Sequence, residues 1–251
     1  MDETFMNHYI FGLHAVESLL RNRPKSIRCL YVQTERHDQK INSLIQIAKQ
    51  VKIPIDYQSR QELDRLTDDA NHQGIVADCA KAPAYTERDL PSLLDNLSSP
   101  AFILILDGVQ DPHNLGACFR SADGAGVQML IAPKDKAVSI TPVVSKVASG
   151  ATETIPFVQV TNLVRAMEIL KEAGIWIYGA AAEAETSIFQ TDLRGPLALV
   201  LGAEGAGLRR LTREHCDALM RIPMQGSVAS LNVSVATAIC LFEVVRQRFK
   251  K

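Results

Sequence analysis

Phe102-Ile-Leu-Ile-Leu-Asp107, followed by Gly108-Val-Gln-Asp-Pro-His-Asn-Leu-Gly-Ala-Cys-Phe-Arg-Ser-Ala122, decides the fold. The first six residues form a continuous apolar run closed by an acid, the pattern of a parallel strand covered on both faces. Asp111-Pro112 makes a turn, and Asn114 reads as the cap of the helix that follows. Similar apolar runs recur at residues 127–132, 155–160, 175–180 and 197–202, with helical patterns between several of them. That alternation predicts an α/β fold with an open, mostly parallel sheet and helices on both faces. Residues 233–249 then read as a long final helix. Its apolar side is expected to carry Val235, Ile239, Phe242, Val245 and Phe249, which are spaced by four, three, three and four.

Upstream, the first 80 residues read as a separate, small α/β domain. Leu13, Val16, Leu19 and Leu20 recur at helical spacing, and Ile27-Arg-Cys-Leu-Tyr-Val32 reads as a strand. Ile41, Leu44, Ile45 and Ala48 mark a second helix, while Ile53-Pro-Ile-Asp-Tyr57 and Gly74-Ile-Val-Ala-Asp78 read as further strands. The stretch from Lys81 to Pro91 carries prolines and charges without periodicity, as a linker does. With a short helix around residues 93–97 it gives a connector over 81–97 and a second domain over 98–251.

Composition narrows the function. Apolar residues are 47% of the 251, enough to build packed cores without covalent staples. Lys and Arg number 27 against 28 Asp and Glu, which argues against a protein that coats nucleic acid nonspecifically but leaves room for a local basic patch. Two basic clusters fit such a patch or solvated surface equally well: Arg21, Arg23, Lys25 and Arg28, and Arg209, Arg210 and Arg213. The cysteines, Cys29, Cys79, Cys118, Cys216 and Cys240, stand singly, so neither a disulfide framework nor a zinc site is expected. The opening residues have no apolar stretch of signal length, and no apolar run approaches the roughly 20 residues of a membrane span. A soluble cytoplasmic protein without a metal is the expectation.

Ligands of open α/β sheets bind in loops beyond the carboxyl ends of strands. Three such loops are rich in glycine and polar residues: the segment 107–122, Leu201-Gly-Ala-Glu-Gly-Ala-Gly-Leu208, and Ile222-Pro-Met-Gln-Gly-Ser-Val-Ala-Ser-Leu-Asn-Val-Ser-Val-Ala236. Arg120 lies six positions after Asn114, near two helical turns, so the pair is expected on one side; capping and a solvated arginine are the plainer reading. A dinucleotide-binding turn would need glycine at the third place of the second loop, where Glu204 stands, and this disfavours a nucleotide-dependent oxidoreductase. Glu204 fits either an exposed acid or a side chain reaching Arg120 or Asn114. Ser230 and Asn232 are ordinary helix-start residues.

Taken in order, the three segments resemble the motifs of the SpoU/TrmH family of RNA 2′-O-methyltransferases. The first motif is Asn114-Leu-Gly-Ala-Cys-Phe-Arg120, the second residues 201–208, and the third runs from Ile222-Pro-Met to Ser230-Leu-Asn232. The likeness covers the chain from about residue 101. The first 80 residues resemble the family's substrate-binding domain, similar to the L7Ae/L30e ribosomal-protein fold. The resemblance implies a deep trefoil knot in the catalytic domain, which general topology rules do not suggest. It implies bound S-adenosylmethionine touching Gly202, Ile222 and Leu231, with Leu201, Met224 and Ala181 as neighbours. It implies Arg120 as the catalytic residue, with Asn114, Glu204, Ser230 and Asn232 positioning it and the ribose. It also implies a homodimer with the site near the subunit boundary and, as substrate, a guanosine in the peptidyl-transferase region of 23S ribosomal RNA. His113 is a rival base, imidazole being the usual one near neutral pH. A noncatalytic RNA-binding or ribosome-assembly factor on the same fold is the alternative function.

Overall fold

A computed structural model describes residues 8–249 apart from Glu35, His37, Lys81 and Ala206. The opening seven residues, Lys81 at the start of the expected connector and Ala206 of the second glycine-rich loop therefore lie outside the described residues. The chain divides into two compact units. One holds the described residues up to Pro83 with Ser145–Thr154, the other Ala84–Val144 and the described residues from Ile155 onward.

The first unit runs β1 (His8–Phe11), α1 (Leu13–Asn22), β2 (Ile27–Gln33), α2 (Gln39–Gln50), β3 (Ile55–Gln58), α3 (Arg60–Leu66) and β4 (Ile75–Cys79). Its sheet has the order β1-β4-β2-β3, antiparallel except for the parallel β2–β3 pair. Val16, Leu19 and Leu20 of α1 and Ile41, Leu44 and Ala48 of α2 are buried in one cluster with Leu30 and Ala77. Spacing by three and four turns those residues to one face of each helix, and burying that face holds these helices in place. Asp38 starts α2 by accepting from Ile41 N–H at 3.1 Å. The third strand begins two residues later than expected, because Ile53 N–H already bonds Ala48 C=O and Pro54 has no N–H to give.

The chain continues with α4 (Leu90–Asp95), β5 (Phe102–Asp107), α5 (Pro112–Ala125), β6 (Met129–Pro133), α6 (Pro142–Ala148), β7 (Phe157–Val160), α7 (Leu163–Glu172), β8 (Trp176–Ala180), β9 (Leu197–Gly202), α8 (Arg210–Glu214), β10 (Ala218–Met220) and α9 (Val233–Arg248), all in the second unit except α6, whose residues from Ser145 on belong to the first. The sheet of the second unit is parallel throughout, in the order β10-β8-β9-β5-β6-β7. From the central β5 the chain builds outward through β6 and β7, then crosses to the other side. The strand order thus switches between β5 and β9, where Asp107 pairs in register with Gly202. Such a switch point opens a crevice at the carboxyl ends of the strands.

Two expectations are corrected. Asp111, not Asn114, caps α5: its carboxylate accepts from His113 N–H at 2.9 Å, Pro112 takes the first helical position, and Asn114 sits inside the first turn. The face of α9 is also reversed. Val233, Cys240, Leu241 and Val244 are buried against the unit, whereas Val235 and Phe242 are each 48% exposed and Phe249 is 80% exposed. The helix is apolar nearly all round, so no single stripe could say which side meets α5 and β9.

The proline-bearing stretch is shorter as a connector than its composition suggests. Tyr85 bridges Val158 beside β7, and Leu90 is fully buried. Among the described residues no helix is long and apolar enough to cross a membrane, and no cluster of His, Cys, Asp or Glu could hold a metal ion.

Candidate functional site

The three glycine-rich loops leave neighbouring strand ends. The first follows β5, the second β9, and the third follows β10, which pairs with β8. The second loop doubles back on itself: Ala203 and Gly207 form an isolated bridge, with Gly207 N–H donating to Ala203 C=O at 2.9 Å. Gly202 is required there, since an added Cβ would collide with the backbone of Gly207 and Leu208. The foot of the loop is pinned by Asp107, whose buried carboxylate accepts from Arg209 N–H at 2.9 Å and lies 2.7 Å from Arg209 Nε.

Asn232 joins the loops. Its Oδ1 caps α9, accepting from Ser234 N–H at 2.9 Å and Ser234 Oγ at 2.6 Å. Its Nδ2 donates to Asn114 Oδ1 at 3.0 Å and to Glu204 Oε2 at 3.3 Å. One amide therefore satisfies a helix start with its oxygen and ties one residue from each of the other two loops with its nitrogen.

Beside this junction lies a cavity of about 520 Å³. The six residues expected at the cofactor, Ala181, Leu201, Gly202, Ile222, Met224 and Leu231, all line it, as do Glu204 and Ser230. Asn114 and Asn232 meet it through Glu204. Arg120 stands apart: it is exposed on α5, does not line the cavity, and has no hydrogen bond or ion pair among the described residues. With both residues inside the helix, six positions at roughly 100° each turn Arg120 about a third of a revolution from Asn114, so the two do not share a side. His113 is likewise exposed, in the first turn of α5.

Sequence reasoning gave no role to Asp107, Glu183 or Arg221. Asp107 was legible only as the acid that ends an apolar strand. Arg221 reaches back from the third loop to donate to Ala184 C=O at 2.5 Å and to Glu185 C=O. Most basic residues singled out earlier face carboxylates: Arg21 with Glu17, Arg23 with Glu153, Arg28 with Asp78, Arg210 with Glu214, and Arg213 with Glu183. Cys118, on α5 behind the site, is no nucleophile, because burial pushes its thiol up to about 11.

A family model described as the SpoU rRNA methylase family matches residues 101–242, and one for RNA 2′-O ribose methyltransferase substrate binding matches residues 9–85. The 23S rRNA (guanosine-2′-O-)-methyltransferase RlmB of Pectobacterium atrosepticum is 54% identical over 243 residues, covering 97% of this chain and 99% of that protein. Its counterpart in Shewanella oneidensis is 56% identical over 239 residues, covering 95% and 97%. Among solved structures, the SpoU methyltransferase AviRb from Streptomyces viridochromogenes, in complex with AdoMet, shares the fold. Its TM-score is 0.79 at 23% identity, covering 98% of this chain and 92% of that one.

Proposed function

The chain belongs to the SpoU rRNA methylase family, and from that premise we propose how its three loops methylate the 2′-hydroxyl of a guanosine in 23S ribosomal RNA. The observation that carries the reading is the bridge from Asn232 to Asn114 and Glu204, which draws all three motifs to one cavity.

The cavity suits S-adenosylmethionine. Ala181, Leu201, Ile222, Met224 and Leu231 supply aliphatic walls for an adenine and a thioether chain, and the carboxylate of Glu204, held by Asn232, lines the same space to face a sulfonium's positive charge. When bound, the sulfonium supplies an electrophilic methyl group. The protein must then align the ribose oxygen and stabilise the negative charge that grows on it as its proton leaves. Arg120 fits the second task. A guanidinium is effectively never deprotonated in a protein, so it acts by electrostatic stabilisation rather than as a base, and the proton passes to water or a phosphate oxygen. Asn114, Glu204, Ser230 and Asn232 hold the loops and the ribose.

The exposed stripe of Val235, Phe242 and Phe249 on α9 supports a homodimer, with Gly124 of α5 close beneath Phe242. Arg120 is exposed on α5, the helix that packs against α9, so pairing of these helices puts it near a subunit boundary. The trefoil knot is part of this reading, and the bond from Asn232 of the third loop to Glu204 of the doubled-back second loop supports it. Residues 1–80, similar to the L7Ae/L30e fold, recognise the RNA in this reading, and 98–251 carry out transfer in the cytoplasm.

The deciding experiment incubates the protein with labelled S-adenosylmethionine and unmodified 23S RNA and maps the methyl group. A label on a ribose 2′-oxygen of a guanosine is expected. Label on a base, or none, refutes the reading.

A further inference from the structure

Four charged side chains line the cavity: Glu183, Glu204, Arg213 and Arg221. Two are committed within the protein. Glu204 is held by Asn232, and Arg221 by the carbonyls of Ala184 and Glu185. The other two face each other. Arg213 Nη2 and Glu183 Oε1 form an ion pair between the last turn of α8 and the loop after β8, and among the described residues neither side chain has another hydrogen bond or ion pair.

That pair is built to be exchanged. Its side chains are 38% and 57% exposed. Ion pairs so open to water contribute little to stability, so separating them costs little. What could replace them is a ligand carrying one charge of each sign on adjacent atoms, with a guanidinium to fork a carboxylate and a carboxylate to receive an ammonium. A free amino acid end has that arrangement.

We infer that Arg213 and Glu183 form the subsite for the amino-acid end of S-adenosylmethionine, Arg213 taking the α-carboxylate and Glu183 the α-ammonium. The cavity walls hold the nucleoside, and this pair distinguishes the whole molecule from an adenosine thioether that lacks the amino acid. The inference rests on the reading of the cavity as the S-adenosylmethionine site.

Calorimetric titration of the full chain with S-adenosylhomocysteine and with 5′-methylthioadenosine separates the two. The unaltered protein is expected to prefer S-adenosylhomocysteine by about tenfold or more, the size of one good charge-assisted contact. In Arg213→Ala the preference should fall below about threefold while 5′-methylthioadenosine binds as before. Glu183→Gln, which keeps the shape and removes the charge, should weaken S-adenosylhomocysteine alone. An unchanged preference in both variants overturns the subsite, as does equal weakening of both ligands. Loss of RNA binding with the preference intact would instead make Arg213 a phosphate contact, and also overturns it. If the unaltered protein binds neither ligand, the cavity reading itself fails and the subsite falls with it.

Discussion

Asn232 reaches Asn114 across 118 residues of chain, Nδ2 to Oδ1 at 3.0 Å, while its own oxygen begins the last helix. Those two jobs can be separated by substitution. Serine at 232 can still cap a helix but cannot donate two bonds from a long amide. Asn232→Ser should therefore leave the melting temperature within a few degrees, whereas Asn232→Ala loses the cap as well, costing about 1 kcal/mol. Both should lose most methyl transfer. Thermal unfolding beside a tritium-transfer assay checks this, and near-normal activity in Asn232→Ser would remove the bridge from the mechanism.

Arg120 is expected to act late. Arg120→Ala should lower turnover by a factor on the order of 10² to 10³, about 3 kcal/mol of barrier, with S-adenosylhomocysteine affinity unchanged because the residue does not line the cavity. His113→Ala should remain near normal. Single-turnover kinetics on both variants decide the assignment; the reverse pattern would make the imidazole the base.

Gly202→Ala should abolish cofactor binding, since the new methyl has the backbone of Gly207 and Leu208 in its way. Gly195→Ala, with nothing within 4 Å of the added carbon, is the matched control and should bind normally. Equilibrium titration of the two proteins makes the comparison. Equal affinities would mean that the doubled-back loop opens freely.

Phe242→Glu places a charge on the exposed apolar stripe of α9 without touching the buried side of the helix. Sedimentation velocity should show a monomer with unchanged circular dichroism. A dimer that survives the change would have to use another surface.

The central strands were legible to the residue. Phe102–Asp107 and Leu197–Gly202 are buried on both faces, and such strands write themselves as unbroken apolar runs. The second helix of the first unit was equally plain, because burying Ile41, Leu44, Ile45 and Ala48 requires helical spacing. Other elements left fainter marks. Arg60–Leu66 is mostly charged with Leu63 its one buried residue, so it left no periodicity to read; in the structure the capping box of Ser59 and Glu62 starts it. Ala218–Met220 is a three-residue strand, too short for periodicity to register.

The site divides in the same way. The chemical types in the loops could be read, but the meeting of Asn232, Asn114 and Glu204 is a tertiary fact created by strand order. Asn114 was mistaken for the cap because Asp111-Pro112 and Asn114 both carry start signals three residues apart. The exposed face of α9 went unseen because its polarity hardly varies around the helix. Glu183 lies outside the three motifs, in an alanine-rich loop with no pattern of its own.

The double duty of Asn232 limits how this chain can change over time. A copy drifting toward a purely RNA-holding role would be free to discard the bridge to Asn114 and Glu204, yet a replacement that cannot cap weakens the start of the last helix, which packs beside the central strands. Selection for the helix start therefore outlasts selection for the bridge, so an inactive descendant should be recognisable by a serine, threonine or aspartate at this place rather than by random replacement.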